Sequence, residues 1–132
     1  MKKKFLFSTV MSLILMLTLA LPVFAKTASK SINIPGGDYT FCCNKYIKLD
    51  SKGDIEVAFS EMNRLEWDIK VVLFNDEENY EVSKTLTQNK TSHIFKNVPK
   101  GLYNIRLENN NGYNNKGSFA FNWPGNWGGQ IN

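Results

Sequence analysis

Between Ser31 and Trp123 the chain is cut into short runs of β-branched and aromatic residues, each closed by Gly, Pro, Asn, Asp or Ser. That punctuation limits the fold more than any other feature, because it leaves no helical stretch of useful length. The clearest run, Asp54 to Ser60, puts Ile55, Val57 and Phe59 on one face and Glu56, Ala58 and Ser60 on the other, as a half-buried strand requires. Trp67 to Phe74 ends in Val71, Val72, Leu73 and Phe74, apolar on both faces, which fits a central strand. Further strands are expected at Ser31 to Ile34, Tyr39 to Cys43, Tyr46 to Leu49, Tyr80 to Thr87, Ser92 to Phe95, Leu102 to Leu107 and Ser118 to Trp123. Asn109-Asn110-Asn111-Gly112 is a turn by residue type. Only Glu61 to Trp67 leaves room for a helical turn. Lys26 to Ser31 reads as a polar leader, and Pro124 to Asn132 as a loose tail. The pattern predicts an all-β, antiparallel two-sheet sandwich, jelly-roll-like, of about eight strands.

The N-terminus is of a different kind. Lys2, Lys3 and Lys4 precede an apolar stretch from Phe5 to Leu21, and Pro22-Val23-Phe24-Ala25 follows. This is the order of a signal peptide, with small residues at the positions a signal peptidase reads, so cleavage after Ala25 and secretion are expected. An uncleaved membrane anchor is the competing reading; Pro22 and the Val23-x-Ala25 site argue against it. Residues 1–25 are thus assigned to a signal and residues 26–132 to a single domain, a normal size for one core. Loss of the three N-terminal lysines leaves 13 Lys and Arg against 12 Asp and Glu, a balance that gives no reason to expect nucleic acid or an anionic surface as partner. The Lys- and Asn-rich composition is that of a Gram-positive-like bacterium, which makes the Asn89-Lys90-Thr91 sequon uninformative.

Cys42 and Cys43 are the only cysteines and are neighbours. On a regular strand they point to opposite faces, which predicts one buried and one partly exposed thiol. A vicinal disulfide, or an intermolecular bond through the outward cysteine, are the alternatives for this redox pair.

From Gly53 to Trp123 the chain resembles bacterial pre-peptidase C-terminal domains, small jelly-roll-like sandwiches appended to secreted peptidases. The resemblance rests on Gly53-Asp54-Ile55-Glu56-Val57, on Trp67 through Asn75, and above all on Val98-Pro99-Lys100-Gly101-Leu102-Tyr103-Asn104-Ile105-Arg106-Leu107. It implies an accessory module that helps an enzyme fold, leave the cell or hold a polymer. This sequence carries no catalytic domain beside it, so binding or assembly is the role expected.

Residue types that could do chemistry are sparse. His93 is the only histidine, and its setting beside Ile94 and Phe95 predicts a solvent-facing strand position rather than a catalytic relay. One histidine with two adjacent cysteines has no zinc spacing. Asn75-Asp76-Glu77-Glu78-Asn79 has oxygen ligands of the kind calcium takes, but consecutive residues rarely converge on one ion, and a solvated hairpin tip is expected. Glu66 and Asp68 lack an acid opposite them for glycoside hydrolysis. No cofactor and no metal site are implied, and an enzyme is the least supported reading.

Aromatic residues make up 13% of the chain. Phe59, Phe95, Tyr103, Phe119 and Phe121 fit inward strand positions, whereas Tyr113, Trp123 and Trp127 fall in or beside Gly- and Asn-rich segments. These three are the candidate binding residues, since flat rings stack on pyranose faces while amides fix hydroxyls. Alternatively, Trp127 folds back and caps the open end of the sandwich. The function expected is non-catalytic binding of an extracellular glycan, cell-wall or matrix surface. A small secreted effector, such as a protease inhibitor or antimicrobial protein, is the alternative, and self-assembly into a matrix a third. The partner expected is an extracellular polymer or surface protein, with no nucleic acid, no stable membrane anchor after cleavage, and a monomer or weak homo-oligomer.

Overall fold

The computed structural model describes residues 26–131. Residues 1–25, read from the sequence as a signal peptide with Ala25 at the expected cleavage site, lie outside the described residues, as does Asn132.

The domain is all-β: ten strands in two antiparallel sheets, with no helix among the described residues. The strands are β1 (Lys26–Ile34), β2 (Tyr39–Phe41), β3 (Lys45–Leu49), β4 (Gly53–Ser60), β5 (Asp68–Asn75), β6 (Tyr80–Thr87), β7 (Ser92–Val98), β8 (Gly101–Glu108), β9 (Asn115–Trp123) and β10 (Asn126–Gln130). One sheet has the order β1-β9-β4-β7; the other is six-stranded, ordered β10-β3-β8-β5-β6, with β2 also paired to β8.

The two sheets close on each other through alternate residues. Ile55, Val57 and Phe59 of β4 and Phe119, Phe121 and Trp123 of β9 meet Ile69, Val71 and Leu73 of β5 and Tyr103, Ile105 and Leu107 of β8 in one buried cluster. Along β9 the three rings stack at 5.6 Å and 5.4 Å between centroids. Each large side chain in this layer contributes about 1.5–3 kcal/mol by leaving water. Tyr103 closes one end: its ring is buried, and its hydroxyl donates to the Pro99 carbonyl at 2.6 Å. Burial, with Tyr80 and Glu78 nearby, pushes the phenol pKa up to about 12.

The segment read as a polar leader, and the middle of the one read as a loose tail, are strands. Lys26 to Ser31 belongs to β1 and pairs residue for residue with β9, from Lys26 opposite Trp123 to Ile34 opposite Asn115. Its polar side chains carry no alternation because an edge strand can be held by its backbone, and charge on an edge discourages further pairing. Asn126 to Gln130 forms β10 along β3. Its glycines are packing requirements: a Cβ on Gly125 would run into the Lys48 carbonyl, and one on Gly128 would sit 2.9 Å from Leu102 Cδ2. Glu61 to Trp67 makes bends and no helical turn; Asn63 and Lys116 tie it to β9 by Asn63 N to Lys116 O at 2.8 Å and Lys116 N to Asn63 Oδ1 at 2.9 Å.

Candidate functional site

The first strands of the six-stranded sheet hold its main irregularity. β2 and β3 lie end to end along one side of β8, with Phe41 opposite Arg106 and Ile47 opposite Tyr103. Between those pairs residues 42–46 oppose only Asn104 and Ile105, so three extra residues are pushed out as a bulge. The bulge contains Cys42 and Cys43, which are joined to each other as a disulfide. Both are buried, so the expectation of one buried and one partly exposed thiol is corrected. That expectation assumed an uninterrupted strand, and the chain leaves strand geometry at this dipeptide. Cys42 N–H still donates to the Ile105 carbonyl at 2.9 Å. Its Sγ lies 3.6 Å from Asn104 Oδ1; a disulfide sulfur has no hydrogen to donate, so this is a contact only.

On the outer face, beside the bulge, lies an open groove of 310 Å³ lined by Phe41, Cys43, Asn44, Tyr46, Phe74, Asp76, Asn104 and Ile131. A smaller depression continues it over Tyr46, Phe74, Asp76, Glu77, Leu102 and Asn104. Leu102 leads into a third, 320 Å³, with Lys48, Lys100, Gly128 and Gly129. The smaller depression shares Tyr46, Phe74, Asp76 and Asn104 with the groove and Leu102 with the third, so the three make a trough that passes over the outward residues Asn104 and Leu102 of β8.

The aromatic residues here are unusual in being exposed. Tyr39 is 54% and Phe41 47% exposed. Their rings meet edge to face at 5.6 Å, and Phe41 lies 6.1 Å from Phe74 across β8. The Arg106 guanidinium stands 5.5 Å from the Phe74 ring, held by Glu108 at 2.7 Å and Glu81 at 3.8 Å. Asn104 is only 7% exposed. Its Oδ1 accepts from Ile105 N–H at 2.8 Å, its Nδ2 makes no hydrogen bond among the described residues, and the residue lines the groove.

The three aromatics expected to form a binding face do not form one. Trp123 is fully buried, with its Nε1–H donating to the Asn126 carbonyl at 3.0 Å, so it cannot stack on a ligand. Its place follows from the β9 alternation, which continues one residue beyond Phe121. Trp127 is half-buried on β10, edge-on to Trp123 at 4.8 Å, and caps the sandwich. Tyr113 precedes the other end of β9, roughly 25 Å of strand away. One face of its ring is covered by the Arg64 guanidinium at 3.7 Å, and its hydroxyl donates to the Glu66 carbonyl at 3.3 Å. The Asn109 to Asn114 loop around it is internally fastened: buried Asn109 donates through Nδ2 to the carbonyls of Ile34 at 2.9 Å, Pro35 at 3.2 Å and Tyr113 at 2.7 Å.

The remaining candidates are placed as follows. His93 on β7 pairs with Val57 in register and is half-buried, edge-on to Phe95 at 4.8 Å. Burial, then Lys84 and Lys90, hold its pKa below the usual value. Asp76 to Asn79 is an exposed hairpin tip, shaped by Asn75 Oδ1 accepting from the Glu77 and Glu78 N–H groups. Asp68 fastens the 109–114 loop by accepting from Asn111 Nδ2. No group of three or more His, Cys, Asp or Glu that could hold a metal occurs among the described residues.

The trough residues carried a readable signal. With Ile69, Val71 and Leu73 inward, alternation places Phe74 outward, and Tyr39 and Phe41 share one phase of a strand. The bulge that gathers them has no signature in the sequence.

No protein-family model and no curated protein matches the chain. Among solved structures, it is similar to a mitogen derived from Yersinia pseudotuberculosis (TM-score 0.49, 14% identity, covering 80% of this chain and 88% of that one). It is also similar to PirA (TM-score 0.43, 8% identity, 72% and 92%) and to a designed double-stranded β-helix (TM-score 0.40, 12% identity, 73% and 97%). At these values the likenesses carry no argument about activity.

Proposed function

We propose that this protein is a secreted, non-catalytic binding module that holds an extracellular glycan, of a cell wall or matrix, in the trough on the outer face of its six-stranded sheet. The observation that carries this reading is the set of exposed and half-exposed rings of Phe41, Phe74 and Tyr46, with Tyr39 edge-on to Phe41, beside the amides of Asn44 and Asn104. The outer face of an antiparallel sheet is ordinarily polar, and large apolar side chains left on it mark a contact surface. Rings stack on the apolar faces of pyranoses, and the amides of exposed Asn44 and near-buried Asn104 supply directional partners for hydroxyls. The Cys42–Cys43 bond suits an oxidising, extracellular setting.

Retention of the purified protein on insoluble polysaccharides tests this. Phe41→Ala removes a ring from the trough at little cost to folding, because half of that ring is already in water. Retention of the wild type should weaken in the variant by about 2 kcal/mol, roughly thirtyfold. Retention unaffected by Phe41→Ala and by Phe74→Ala, or no retention on any polymer, removes the trough as the site.

A further inference from the structure

The charges along the trough are unequally placed. Asp76 and Glu77 line its central part beside the Phe74 and Tyr46 rings, are exposed, and take part in no ion pair among the described residues. Arg106, the cation nearest Phe74, is already engaged by Glu81 and Glu108. Lys48 and Lys100 border only the other depression, and Lys48 is 3.6 Å from Asp50. The stretch that holds the rings therefore presents uncompensated negative charge. Near-buried Asn104, whose Nδ2 has no hydrogen-bond partner among the described residues, lines the same space.

Resting on the glycan-binding role above, we infer that the trough takes a linear polymer of amino sugars with free amines, one protonated amine lying between Asp76 and Glu77 and its ring stacked on Phe74 or Tyr46. An ammonium is the group that both flanking features favour: the carboxylates accept charge-assisted hydrogen bonds, and the ring faces attract cations. Uronate or phosphate polymers meet repulsion at the same carboxylates. N-acetylated sugars keep the stacking and lose the charge.

The test is titration calorimetry of the protein with glucosamine hexamer, N-acetylglucosamine hexamer, a glucose hexamer and a galacturonate hexamer, at about pH 6, where carboxylates are ionised. The glucosamine hexamer binds at least about tenfold more tightly than its N-acetylated counterpart, and the galacturonate hexamer does not bind. Asp76→Asn and Glu77→Gln, both on an exposed hairpin tip, each reduce that preference about tenfold. Glu61→Gln, exposed and away from the trough, leaves it unchanged, which separates a local site from attraction by bulk charge. Equal affinity for the two amino-sugar hexamers, a preference untouched by Asp76→Asn, or binding of the galacturonate hexamer overturns the inference. If the neutral hexamers bind without amine preference, the glycan-binding role stands and the amine site falls; if no hexamer binds, both fall together.

Discussion

Replacing Trp123 by Ala tests whether this ring belongs to the core or to a ligand. The side chain is fully buried, stacked on Phe121 at 5.4 Å and met edge-on by Trp127 at 4.8 Å, with its indole N–H satisfied by the Asn126 carbonyl. Truncating a buried Trp costs about 3–5 kcal/mol, from the lost transfer of the ring and the cavity left behind. The orphaned Asn126 carbonyl stands at the start of an exposed edge strand, so water satisfies it and adds little. A domain of this size is stable by only about 5–15 kcal/mol, so the substitution removes a large share. The melting midpoint should fall by roughly 15–30 °C. Circular dichroism in the far ultraviolet follows this without relying on the tryptophan removed. Trp127→Ala, at a half-buried edge position, should cost only about 1–2 kcal/mol. A Trp123→Ala protein that melts within about 1 kcal/mol of wild type would refute the burial argument and return this residue to the list of ligand contacts.

Two further outcomes follow from local chemistry. Tyr103 has a folded-state pKa raised to about 12 by burial, against an unfolded value of about 10. Its neutral phenol therefore contributes stability that is complete below about pH 10 and is lost as pH rises through about 12; the stability gap between wild type and Tyr103→Phe should narrow across that window in urea titrations. The Cys42–Cys43 bond closes so short a loop that loop entropy assigns it only about 1 kcal/mol. Cys42→Ala/Cys43→Ala should fold with a melting midpoint near wild type yet lose retention on the polymer, because the bulge shapes one wall of the groove; equal retention would show that the bulge is passive.

The sequence exposed what alternation controls. The inward sets Ile55, Val57, Phe59 and Tyr103, Ile105, Leu107 were legible because a sandwich buries every second residue. β1 and β10 were hidden because edge strands can be recruited through backbone hydrogen bonds, which leave no side-chain pattern. Trp123 was misread as exposed because of the Gly and Asn that follow it, yet Gly125 is there for close packing on β3. Tyr113 looked free because its cover, Arg64, is distant in sequence. The trough was missed for a related reason: it depends on a three-residue bulge and on β2, β5 and β8 meeting, and nothing local announces that meeting.

Chemical-shift mapping of the isotope-labelled protein during titration with glucosamine and N-acetylglucosamine hexamers locates the ligand directly. The account predicts saturable shifts concentrated at the backbone amides of Phe41, Asn44, Tyr46, Phe74, Asp76, Glu77 and Asn104, whereas shifts centred on Tyr113 or Trp127, or none at saturating hexamer, would contradict it.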